Sequence, residues 1–143
     1  MRSSSHWDKT PQQSVEEECE RRGRLAVVKG CVALLNGKPV DEELILTLGG
    51  PPAEWVRTGE PSGPEYWLRV WGARGLLYAW DDSARAAVLR ALNDEAWRVR
   101  DMALKVVARQ GIEEAVDQVA RIQDDSSARV RASATRAKRA ING

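Results

Sequence analysis

From residue 65 onward, apolar positions recur at intervals of three and four with polar residues between them, the period of helices that bury one face. The pattern predicts helices at about 65–80, 83–93, 95–109, 112–123 and 127–141, separated by "DD", "ND", a lone Gly111 and "DDSS". Gly111 suits a left-handed helix end, and Ile112 after it is placed to close back on Val107. Upstream, one helix is predicted over 14–35. Glu17 with Arg21, Glu18 with Arg22 and Glu20 with Arg24 are acid-first pairs four apart on its solvated half, while Leu25, Val28, Val32 and Leu35 form its packing face. Asn36-Gly37 before Pro39 stops that helix, and Asp41 caps a short one running to about Leu48, with Val40 and Ile45 placed as a hydrophobic staple. Residues 1–12 read as a disordered leader and 49–64 as a Gly/Pro-rich loop with one turn around Trp55. The expectation is an all-α protein with a single domain over 13–143, divided into a first part at 13–63 and a second at 64–143.

The second part repeats itself. Shifted by about 30 residues, "LNDEAWRVRDMALKVV" falls on "IQDDSSARVRASATRAK" with one extra residue in the second turn. Leu89, Leu92 and Asp94 then match Val119, Ile122 and Asp124, and Val99, Arg100 and Ala103 match Val130, Arg131 and Ala134. A weaker copy lies in "PEYWLRVWGARGLLYAW", where Ala73 and Leu77 could match Ala103 and Val107, although Val70 then falls on Arg100.

A helical wheel centred on Val99 gathers Ala96, Met102, Ala103, Val106 and Val107 around it, with Trp97, Leu104 and Ala108 in a second apolar sector that turns Trp97 toward the next repeat. Only Arg98, Asp101, Lys105 and Arg109 share a polar strip, so the helix is sandwiched between neighbours. Arg100 falls inside the apolar arc, where a guanidinium requires a carboxylate; Asp94, Asp125 or Asp82 can supply it. Arg100, Asp94, Asp125 and the equivalent Arg131 are therefore candidates for ion pairs between repeats. In the last helix Val130, Ala134, Ala137 and Ile141 keep the first apolar face, but Ala128, Thr135, Lys138 and Arg139 replace the second, as a terminal cap requires.

A two-helix unit of about 30 residues, with an aspartate in its turn and V-R-x-x-A opening its second helix, resembles HEAT-like repeats, particularly the short type named after phycobilisome lyases. The resemblance covers about residues 65–141. It implies a short right-handed α-solenoid with the N-terminal helices packed on its first repeat and a binding surface on the concave side formed by the second helices.

The formal net charge of +1 gives no overall push toward nucleic acid or an acidic membrane, so any steering field is local. Such a field is present: no acid follows Asp125, and Arg129 and Arg136 occupy the strip that Arg98, Lys105 and Arg109 hold one repeat earlier. Stacking aligns these five as a basic stripe, the candidate contact for a protein partner with an acidic segment or for a nucleic acid; the alternative is a solvated face that complements a helix dipole. Catalysis is not expected, because the chain has neither a Gly-rich phosphate loop nor a G-x-S-x-G, its one histidine, His6, lies in the leader, and no small-molecule substrate is evident. Asp81-Asp82 and Asp124-Asp125 stand at helix starts, where capping explains them. Cys19 and Cys31 show no zinc spacing and would lie roughly 18 Å apart on one helix, so reduced thiols are expected. Of the six tryptophans, Trp67 and Trp71 belong to a packing junction, and Trp7 sits oddly in the leader. With no apolar signal core or membrane-length apolar run, the expectation is a cytoplasmic interaction scaffold without metal or cofactor.

Overall fold

A computed structural model of the chain describes residues 9–53 and 65–142. Trp7, Trp55 and most of the leader and of the Gly/Pro-rich loop lie outside these residues. The described elements are α1 (Pro11–Arg22), α2 (Arg24–Leu35), α3 (Glu42–Gly49), a 3₁₀ turn (Pro51–Ala53), α4 (Tyr66–Gly75), α5 (Arg85–Ala91), α6 (Trp97–Gln110), α7 (Val116–Ile122) and α8 (Ala128–Asn142). Single 3₁₀ turns at Asp82–Ala84 and Glu113–Ala115 lead into α5 and α7, and the described residues contain no strand.

α4, α6 and α8 lie side by side in one layer, with α6 between the other two. α5 packs behind α6 and α7 behind α8, giving two helix pairs; α2 packs behind α4 and completes a third, on which α1 and α3 sit. The chain is an all-α solenoid whose inner helix is apolar on both flanks: Val99, Ala103, Leu104, Val106 and Val107 of α6 have no exposed surface. On α8 only one flank is buried, through Val130, Ala134 and Ala137, while Ala128, Thr135, Lys138 and Arg139 face solvent.

Local signals set the element ends. Thr10 and Gln13 form a reciprocal capping box, with Thr10 Oγ1 accepting from the Gln13 N–H at 3.1 Å and Gln13 Oε1 from the Thr10 N–H at 2.9 Å. Pro11 stands at the first helical position, so α1 begins inside the expected leader. At the end of α2 the Lys38 N–H reaches back to Ala33 O (2.8 Å) and Gly37 adopts φ 73°. Asp41 caps α3 through the Leu44 N–H at 3.0 Å. Gly111 is left-handed (φ 64°, ψ 46°), and the Ile112 N–H returns to Val107 O at 3.1 Å, closing the expected Schellman motif.

Three expectations are corrected. The single helix over 14–35 is broken at Gly23, whose φ of 95° and ψ of 141° suit glycine and end the i to i+4 ladder. The break rotates α2, so Val27, Val28, Cys31 and Leu34 are buried while Leu25 is 54% exposed; the one-helix separation of the cysteines no longer applies, and both thiols are free. The half read as solvated contains Glu18, which is buried and gripped by Arg21 and Arg22, and Arg22 also reaches Asp41 with two bonds of 2.9 and 3.1 Å. Finally, α4 stops at Gly75: the N–H groups of Leu76, Leu77 and Tyr78 return to carbonyls three residues back, and the Leu76 and Leu77 carbonyls accept from Gln110 and Arg109 of α6.

Candidate functional site

The inter-repeat ion pairs form a ladder. Asp94 Oδ1 accepts the Ala96 N–H and Asp125 Oδ1 the Ser127 N–H, each at 2.9 Å, so each aspartate holds its own turn. Each also takes the arginine of the preceding layer helix: Arg69 donates to Asp94 through Nε (2.8 Å) and Nη2 (3.2 Å), and Arg100 to Asp125 through Nε (2.8 Å) and Nη2 (3.0 Å). These are two-pronged guanidinium–carboxylate contacts, with the side chains of Arg69 and Arg100 largely buried. Burial alone would raise the Asp125 carboxyl, but the Arg100 bond, the Ser127 N–H and the charges of Arg100 and Arg131 together hold it below its usual value.

Of the three carboxylates considered for Arg100, Asp125 is the partner. Asp94 gives Arg100 only its carbonyl (2.8 Å from Nη1), and Asp82 pairs with Arg85 at 2.9 Å. Arg131 repeats the backbone part of the rung, with Nη1 at 2.6 Å from Asp125 O, and has no carboxylate partner among the described residues. Arg69, Arg100 and Arg131 are spaced by 31 residues, 69 to 100 and 100 to 131, as are Asp94 and Asp125. That spacing fixes the ambiguous register of the first copy: Gly72, not Ala73, stands where Ala103 and Ala134 stand. Gly72 is required there, since a Cβ would lie 2.9 Å from both Cys31 O and Leu34 Cβ of α2. Capping also explains Asp81, whose Oδ2 accepts the Ser83 N–H at 2.9 Å.

The five basic residues expected to form a stripe differ in their surroundings. Arg98 is half-buried, with its guanidinium 4.5 Å from the Trp97 ring and 5.2 Å from that of Trp67, so Trp97 faces back toward α4 and not toward the next repeat. Lys105 is exposed and sits 3.2 Å from Asp101 Oδ2. Asp101 in turn accepts the Ser133 hydroxyl, and Arg136 donates to Ser133 Oγ at 3.2 Å, so one polar network ties α6 to α8 in mid-stripe. Arg129 is exposed on α8. Arg109 donates from Nε to Leu77 O at 2.9 Å and lies 5.6 Å from the Tyr78 ring, while Gln110 Nε2 donates to Leu76 O at 3.0 Å.

Between the α4–α5 turn and the last two turns of α6 runs an open groove of about 870 Å³, walled by Leu77, Tyr78 and Trp80 on one side and Lys105, Ala108, Arg109 and Gln110 on the other. Tyr78 and Trp80 escape a reading of helical periodicity because they stand in a turn. The tryptophans divide: Trp71 is buried beside Gly49 of α3, whereas Trp67, Trp80 and Trp97 keep part of their surface in water.

Among the described residues no group of three or more His, Cys, Asp or Glu side chains could hold a metal ion, and no helix is long and apolar enough to cross a membrane. No curated protein matches the chain. The family model for HEAT repeats matches residues 62–138, more than half of the sequence, and it does not single out the phycobilisome-lyase type. The matched span contains α4 to α7, most of α8 and both rungs of the arginine–aspartate ladder, and the chain belongs to the HEAT-repeat family.

Proposed function

We propose that this chain is a non-enzymatic, cytoplasmic protein-binding module that engages an acidic segment of its partner along the surface of α4, α6 and α8. One observation carries the reading: this surface gathers Arg98, Lys105, Arg109, Arg129 and Arg136 with half-exposed aromatic rings, while the other sides of α6 are consumed by the core. Arginine and aromatic side chains together are what protein interfaces favour, and HEAT repeats generally bind proteins. A phosphate backbone fits less well, because Asp101 interrupts the stripe and Glu65 and Glu95 flank Arg98. The test is affinity capture from native lysate with the wild type and with Arg129→Glu/Arg136→Glu, whose fold is checked by circular dichroism. A defined partner lost on charge reversal is expected. Equal capture by both proteins, or duplex-DNA binding that weakens steeply with salt, would overturn the proposal.

A further inference from the structure

The binding surface contains one feature that the repeat architecture does not explain. Shifted by 31 residues, scaffold positions recur: Arg69 and Arg100 build rungs, Arg131 keeps their place with a bond to the Asp125 carbonyl alone, Arg98 returns as Arg129, and Lys105 as Arg136. The groove beside the end of α6 does not recur. Tyr78 and Trp80 shift onto Arg109 and Gly111, and Arg109 shifts onto Ala140. Tyr78 and Trp80 pack partly against the core and keep the rest of their surface at the groove, and the turn that carries them is held in place. Arg109 Nε is committed to Leu77 O, and Gln110 Nε2 bonds both Leu76 O (3.0 Å) and Leu77 O (3.3 Å), which fixes the turn that carries the two rings.

With Nε so engaged and the guanidinium set against the Tyr78 ring, the terminal nitrogens of Arg109 are left to the groove, and among the described residues no carboxylate lies within 4.0 Å of it. Lys105, one turn back on the same face, adds a second cation. A planar fork of fixed orientation is a carboxylate receptor, and its ordering cost is already met by the protein's own hydrogen bonds. Opposite it, Tyr78 and Trp80 are half-buried rings that offer apolar surface beside the charge.

We propose that this groove receives an acidic segment of a partner protein, with one carboxylate on Arg109 and Lys105 and the adjacent apolar side chain against Tyr78 and Trp80. The proposal rests on the protein-binding reading and narrows it to one stretch of the surface. A peptide with discrete charges suits the site, since the path from Lys105 toward Arg98 passes Asp101, which a carboxylate can skip and a continuous phosphodiester chain cannot.

The experiment follows tryptophan indole N–H signals by NMR, with Trp80→Phe assigning the Trp80 signal. The full chain is titrated with acetyl-Gly-Asp-Glu-Leu-Asp-Glu-Gly-amide, with its Asn/Gln counterpart, and with a short single-stranded oligodeoxynucleotide of equal charge. The acidic peptide is expected to shift the Trp80 signal saturably and the neutral peptide not. Arg109→Gln, at an exposed position, is expected to weaken binding about fivefold, and Lys105→Gln less. Unchanged affinity in Arg109→Gln, a response that leaves the Trp80 signal unmoved, or tighter binding of the oligonucleotide would overturn the assignment. If the groove fails while charge reversal on α8 still abolishes capture, only this inference falls; if capture is also indifferent, the protein-binding reading falls with it.

Discussion

Deleting the Asp125 side chain removes three hydrogen bonds: those from Nε and Nη2 of Arg100 and that from the Ser127 N–H. The pair is nearly out of water, with side-chain exposures of 16% for Arg100 and 10% for Asp125. Breaking a fully buried pair from one side costs about 3–5 kcal/mol, whereas exposed pairs contribute about 1 kcal/mol or less. Here Arg100 Nη1 keeps its carbonyl acceptors Asp94 and Glu95, which brings the charge contribution to about 2 kcal/mol. Loss of the cap on Ser127 adds about 1 kcal/mol. Asp125→Ala is therefore expected to lose about 3 kcal/mol, and Asp125→Asn, which keeps an acceptor for Ser127, about 2 kcal/mol. Arg131→Met is the internal reference, because Arg131 makes the same bond to a carbonyl without a carboxylate; it should cost under about 1 kcal/mol. Urea unfolding followed by far-UV circular dichroism gives each value, and the Arg100→Met/Asp125→Ala cycle gives the coupling. A coupling below about 0.5 kcal/mol, or an Arg131→Met cost equal to that of Arg100→Met, would refute the ladder as a source of stability.

Three further outcomes are open to measurement. Gly72→Ala adds a Cβ 2.9 Å from Cys31 O, so despite alanine's better helix propensity it should destabilise by about 1–3 kcal/mol; an unchanged or higher urea midpoint would refute the close approach of α4 and α2. The Arg22 guanidinium, helped by the Leu44 N–H against desolvation, holds the Asp41 carboxyl down at about 2, below its unfolded value of about 3.9. Its contribution is complete above about pH 4 and lost as pH falls toward 2, so stability should decline more gently over that window in Asp41→Asn than in the wild type. Burial pushes the Cys31 thiol up to about 12, so at pH 8 a thiol reagent should modify at most Cys19 in the folded protein and both cysteines in urea; rapid modification of both in the native state would count against the packing of Cys31.

The helix pairs were legible because sandwiching leaves apolar residues on two sectors of α6, and the need of Arg100 for a carboxylate followed from its place inside that arc. Arg69 was not legible in the same way. Its motif reads L-R-V, and alignment on alanine hides that glycine replaces alanine where α4 meets α2. The 31-residue interval between Asp94 and Asp125, applied upstream from Arg100, would have found it. Gly23 escaped because the pairs of opposite charge around it continue the helical rhythm, while the backbone conformation of the break leaves no periodic trace. Five basic residues were expected on one surface, but the separate attachments of four of them to Trp67 and Trp97, to Asp101, to Ser133 and to Leu77 O depend on tertiary neighbours that no spacing reveals.

The aspartate of each rung serves two masters, a backbone N–H of its own turn and the guanidinium of the helix before it. A turn that opens therefore releases its upstream neighbour as well, so the rungs act as nearest-neighbour couplings in a one-dimensional array. Melting should then travel along the stack from whichever end has the weaker coupling. At α8, Arg131 lacks a carboxylate among the described residues and only one flank is buried, which makes this helix the place where fraying starts and hydrogen exchange is fastest within the layer.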